Sequence, residues 1–156
     1  MRVLMICLVF GLAGPAHALS CMPSDAVRLF EQVRDAEEGF YIVKGEISFL
    51  EPINTPDANT KTSTQTRARA IGTALTSSGF SAPFDGEVTV KATCVSAWCG
   101  DPVSLKDVRI MALEVGEDGL TLHVGPCGGD QLLWQAEQEN RLLRCLLTGD
   151  CQKTEF

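Results

Sequence analysis

A mainly β or α+β domain is what this sequence predicts: a small five-stranded antiparallel barrel or curled sheet, flanked by an N-terminal and a C-terminal helix and stapled by disulfides. Three observations carry that expectation. Apolar residues recur with period two in several segments between residues 40 and 127, helical spacing is confined to the two ends, and every cysteine except Cys7 follows an export signal.

The signal is the opening run MRVLMICLVFGLAGPAHALSC, with one basic residue (Arg2), an apolar stretch from Val3 to Ala13 and a small-x-small ending at Ala16-His17-Ala18. Its apolar core is too short for a membrane span, which needs roughly 20 residues. We therefore expect residues 1–18 to be a signal peptide and residues 19–156 a single domain, secreted or periplasmic. Cleavage after Ser20 and lipidation of Cys21 remain as alternatives to cleavage after Ala18. No other segment is long and apolar enough to span a membrane.

The elements follow in order. In SDAVRLFEQVRDAEE (24–38) Ala26, Leu29, Phe30 and Val33 fall at helical spacing, with Ser24 as cap and Gly39 as stop. FYIVKGEISF switches to period two, Tyr41, Val43, Gly45, Ile47 and Phe49 alternating with polar residues and Ile42, so a strand is expected with a bulge or bend at Gly45. Residues 51–64 are polar, with two prolines and no apolar pattern, and predict a long exposed, mobile loop. TRARAIGTAL places small residues at Ala68, Ala70, Gly72 and Ala74; a strand is expected, a helix being the alternative. GEVTVKATC turns Val88, Val90, Ala92 and Cys94 to one face. DVRIMALEV, the turn GEDG and LTLHVGPC form a hairpin with Leu120, Leu122 and Val124 inward. The final segment predicts a helix capped by Asp130, with Leu133, Ala136, Leu143 and Leu147 on its apolar face and Gly149 as stop.

Charge narrows the function. The chain carries a formal net charge of −7, and loses a cation with Arg2. Phosphate binding is driven by Lys and Arg, and Arg67 with Arg69 do not supply a basic groove, so nucleic acid is not expected as a partner. No catalytic constellation stands out and no cofactor is expected. His123 reads as an outward strand residue with no nucleophile spaced to use it as a base. Glu114, Glu117 and Asp118 read as solvated hairpin-turn residues rather than a calcium loop. Glu137 and Arg141 read as an i, i+4 ion pair. Trp98 and Trp134 are expected to pack rather than to line a groove.

The six cysteines of the exported chain, Cys21, Cys94, Cys99, Cys127, Cys145 and Cys151, read as a disulfide framework, for which spacing leaves fifteen connectivities open. In CVSAWC the gap between Cys94 and Cys99 is not the Cys-x-x-Cys of a redox centre, and one histidine is too few for a zinc site of paired short spacings.

Several pieces occur in the order seen in netrin-like domains. They are Cys21-Met22-Pro23, Tyr41-Ile42-Val43-Lys44-Gly45, Phe84-Asp85-Gly86, Cys99-Gly100, the hairpin end Leu122-His123-Val124-Gly125-Pro126-Cys127, and Gly149-Asp150-Cys151. The chain resembles that family, OB-type barrels with flanking helices best known from the tissue inhibitors of metalloproteinases. The resemblance implies the pairs Cys21–Cys127 and, because Leu19 stands where the family has the partner of the Cys-Gly cysteine, Cys94–Cys99; it leaves Cys145–Cys151 as the third. In the family the freed terminal residue chelates a protease zinc and the next side chain enters the specificity pocket, which carries over to Leu19 and Ser20, with Cys21 and Met22 following. The missing cysteine at position 19 removes the bridge that would hold such a wedge in place. The expectation is therefore an exported, non-enzymatic module that binds an unidentified protein or small ligand, with zinc-metalloprotease inhibition or an envelope lipoprotein as alternatives.

Overall fold

The computed structural model describes residues 21–153; the expected signal peptide, Leu19 and Ser20 lie outside the described residues. Helix α1 (Ala26–Arg34) leads into strands β1 (Gly39–Phe49), β2 (Ser63–Thr76), β3 (Gly79–Val95) and β4 (Trp98–Cys99). After a short 3-10 turn come β5 (Arg109–Gly116), β6 (Gly119–Val124), β7 (Gln131–Leu133) and helix α2 (Ala136–Thr148). The protein is mainly β, with seven strands in one mixed sheet and two helices.

The expected count was five strands, all antiparallel. The two extra strands are two and three residues long, too short to leave a period-two pattern. The sheet is mixed because β6 runs parallel to β3, pairing Val88–Ala92 with Leu120–Val124 after an excursion through β4, the 3-10 turn and β5. Neighbours run β1-β2-β3-β6-β5-β7, and β5 also pairs with β1, so the path through five of the strands returns to its start.

Apolar residues divide into two layers. Val43, Ile47, Ala68, Ala70, Val88, Val90, Met111, Leu113 and Leu122 form a core inside this path of strands. Ala26, Leu29, Ile42, Ile110, Ala112, Leu132 and Leu142 form a second layer, where both helices cover the outside of β1, β5 and β7. Strand β1 serves both layers, Val43 and Ile47 facing one and Ile42 the other, as alternation along a strand requires.

Gly45 marks no bulge, the β1–β2 and β1–β5 registers both running through it without a shift. It faces Gly72 across the β1–β2 ladder, and a Cβ on either would overlap a backbone carbonyl of the other strand, Ile71 for Gly45 and Lys44 for Gly72. Gly45 also pairs with Arg109 of β5, so the backbones of β1 and β2 close up where β1 changes partners. The irregularity in register lies instead at Ala74/Leu75. Gly72→Ala is expected to lower stability by about 2–3 kcal/mol, as overpacking against backbone does, read as a fall in urea midpoint.

Other elements shift. α1 is capped by Asp25 rather than Ser24, its carboxylate accepting from Val27 and Arg28 backbone N–H groups. The C-terminal helix does not start at Asp130. Gln131–Leu133 pairs with Arg109–Met111 as β7, and α2 begins after Gln135, which makes no side-chain cap. The buried face of α2 is correspondingly rotated to Leu142 and Cys145, leaving Ala136, Leu133 and Leu147 exposed. Loop 51–62 is fastened to β2. The Asn54 N–H donates to Thr66 Oγ1 (3.0 Å), Thr64 Oγ1 donates to the Asn54 carbonyl (2.8 Å), and Asp57 and Lys61 close a turn.

Candidate functional site

Three disulfides are present: Cys21–Cys127, Cys94–Cys99 and Cys145–Cys151. The first ties the segment before α1 to the turn after β6, across 106 residues of sequence. The second joins directly opposed residues of β3 and β4. The third closes the C-terminal end of α2, where Gly149 takes a left-handed conformation (φ 74°).

Around Cys21–Cys127 lies an open cleft of about 420 Å³. One wall is the segment Cys21–Asp25, another is α1 with Arg28, Leu29 and Gln32, and the third is residues 129–132. Met22 projects from this rim, 62% exposed, with its Sδ 3.1 Å from Arg28 Nη1. Of the expected contact residues, the structure thus places Cys21 and Met22 together at the cleft.

Beneath the rim, Asp25 is the anchor. Its carboxylate is fully buried, caps α1 and pairs with Arg141 Nη2 at 2.8 Å, while the same nitrogen donates to the Gln152 carbonyl at 2.7 Å. One ion pair thus joins the start of α1 to α2 and the tail. This corrects the expected partner of Arg141, Glu137 being exposed on the first turn of α2. The Asp25–Arg141 pair spans 116 positions, so no local spacing signals it.

Outside the cleft lining, His123 is half-buried on the outer face of β6, with Nε2 2.7 Å from Glu114 Oε2 of β5. Asp130 continues this group. Its backbone N–H donates to the His123 carbonyl and its carboxylate accepts from Gln32 Nε2 at 3.3 Å. Burial pushes the Asp130 carboxyl above its ordinary range, against the opposing pull of His123 and the Gln32 hydrogen bond. A carboxyl raised in the folded state contributes stability that is fully present below its unfolded pKa, about 3.9, and is lost as pH rises through the folded value. Asp130→Asn is therefore expected to raise the urea midpoint at pH 7 and leave it unchanged near pH 3. Glu117 and Asp118 are exposed in the β5–β6 turn, as a solvated turn predicts.

Neither tryptophan is buried. Trp134, 38% exposed, is held by polar contacts: its Nε1 donates to Glu139 Oε2 at 2.6 Å and its ring lies 5.9 Å from Lys44 Nζ, which itself bonds Glu139 at 2.7 Å. Burial pushes the Glu139 carboxyl up, but the hydrogen bonds from Lys44 and Trp134 outweigh it and hold the group below its ordinary value. Trp98, by contrast, is 58% exposed at the tip of the β3–β4 hairpin. A short turn between two cysteines could have signalled this, because a two-residue hairpin tip leaves no neighbour to cover an indole.

Arg67 and Arg69 are each matched by a carboxylate, Glu51 and Asp85, so the outer face of β2 offers no run of unmatched cations there. Among the described residues, no three His, Cys, Asp or Glu side chains group as metal ligands, and no helix is long and apolar enough to cross a membrane. In comparison with known proteins, no family model matches the chain, and neither does any curated protein or solved structure.

Proposed function

We propose that this protein is an exported, non-enzymatic binding module: a netrin-like, five-stranded OB-type barrel that presents its amino-terminal segment to a protein or small ligand. The pairing path β1-β2-β3-β6-β5-β1 supports the barrel, since five strands whose ladder returns to its start leave no open edge between them. The observation that carries the binding reading is the Cys21–Cys127 bridge. It fixes the first described residues along a cleft and leaves Met22 projecting from its rim, so that a contact made there costs little further ordering.

Export agrees with three disulfides, which persist in oxidising compartments. The lipoprotein alternative is disfavoured by chemistry: a lipid thioether and the Cys21–Cys127 bridge need the same sulfur. Zinc-protease inhibition stays as the second reading, favoured by that bridge alone, because cleavage after Ser20 would present Cys21 with its amine free and its side chain pinned.

Amino-terminal sequencing and intact mass of the processed protein, before and after reduction, test these readings. A free Leu19 terminus with three disulfides supports the binding module. A free Cys21 terminus, with inhibition of a zinc protease, would replace it by the inhibitor reading. An acylated Cys21 would sink both.

A further inference from the structure

The β3–β4 hairpin raises a separate question, because its disulfide is placed where a staple adds least to the fold. Chain entropy lost on cross-linking grows with loop length, so a bridge spanning 5 positions stabilises by that model about half as much as one spanning 106. The hairpin base is also held without it. Gly100 donates its N–H to the Thr93 carbonyl and lies so close to the Val124 carbonyl that no Cβ would fit. The bridge fixes the tip instead.

At that tip Val95 and Trp98 are a cross-strand pair, 57% and 58% exposed, one rung beyond Cys94–Cys99. Between them Ser96 holds a left-handed backbone (φ 54°), a conformation disfavoured for a residue with a Cβ. A convex, rigid pair of apolar side chains, with an indole as its larger member, has the form of an interface anchor: tryptophan is enriched among residues that dominate binding energy, and immobilising it beforehand removes an ordering cost.

Charge on the same face selects the partner. Val95, Thr93 and Lys91 alternate onto one side of β3, and Lys91 makes no ion pair among the described residues. Lys91 stands beside His123 in the β3–β6 register. We infer that the Val95/Trp98 tip docks into an apolar pocket of a folded partner protein, with Lys91 facing a carboxylate on the pocket's rim. This rests on the binding-module reading and adds a second contact point, since the hairpin base abuts Val124-Gly125, just before Cys127.

In-cell photo-crosslinking in the native host tests it, with benzoylphenylalanine placed at Ala97, at Met22 or, as control, at Glu117. The expected result is a protein adduct from position 97 and none from position 117, the position-97 adduct being abolished by Trp98→Ala and by Cys94→Ser with Cys99→Ser. The captured protein, once purified, should bind the Trp98→Ala and Lys91→Glu variants at least tenfold and about threefold more weakly than the parent. Trp98 is exposed, so the alanine variant should keep its urea midpoint, which is measured alongside. An adduct that survives Trp98→Ala, an adduct to a second copy of this chain, or Trp98-dependent binding to phosphatidylethanolamine–phosphatidylglycerol vesicles each overturns the inference. Absence of a position-97 adduct alongside one from Met22 removes the tip but leaves the binding module standing; absence from both removes both.

Discussion

Replacing Cys21 and Cys127 together by alanine should lower stability by about 4 kcal/mol, the largest effect of any change considered. The bridge spans 106 positions, so its loss restores to the unfolded chain the freedom of nearly the whole domain. The result would be read in urea, as a fall in midpoint without loss of cooperativity. It would also uncouple fold from function: the sheet should persist, because the core inside the strands does not include either cysteine, while residues 21–24 lose their tether at the cleft. A variant as stable as the parent would mean that Asp25 and α1 hold this segment unaided.

Asp25→Ala should cost about 3–4 kcal/mol, for two additive reasons. The carboxylate is the α1 cap, worth about 1 kcal/mol, and it is the buried partner of Arg141, whose guanidinium would be left with little solvent to replace it. Asp25→Asn separates the two contributions. An amide oxygen can still cap Val27 and Arg28, so the asparagine variant should recover the cap and retain the deficit from the ion pair. Equal losses in the two variants would assign the whole effect to the pair with Arg141; equal stability of Asp25→Asn and the parent would show that the pair, its hydrogen bond included, contributes nothing net.

How far these features were readable depends on their range. Period-two runs in 40–49, 66–75 and 86–94 gave strands because each alternates faces with a core on one side, and β1 to β3 lie there, while the β5–β6 hairpin was legible from the runs on either side of the turn GEDG. Where a strand is three residues long, as β7 is, periodicity has nothing to act on, and the apolar residues of 131–133 joined the helix pattern that follows them. That error also displaced the cap and rotated the expected face of α2. The parallel β3–β6 pairing was equally hidden, since parallel neighbours are chosen by crossover geometry and not by residue alternation.

At the site, the residues bearing chemistry were visible and their company was not. His123 alternates outward with Thr121, but its carboxylate partner Glu114 comes from the other strand of a hairpin whose register local pattern only suggests. Trp98 looked like packing because tryptophan usually packs; only the two-residue turn around Ser96 and Ala97 puts it in solvent.

By itself, then, the sequence determined a mainly β chain with helices at both ends and the residue types available to it, because alternation, caps and turn residues act over a few positions. Tertiary structure decided which strands adjoin, that Asp25 meets Arg141 across 116 positions, and that Met22 and Trp98 face solvent. Those outcomes depend on the closing of β1 against β5 and on covering one side of the sheet with two helices. They are set by which surfaces can be buried at once, and no short stretch of sequence records that.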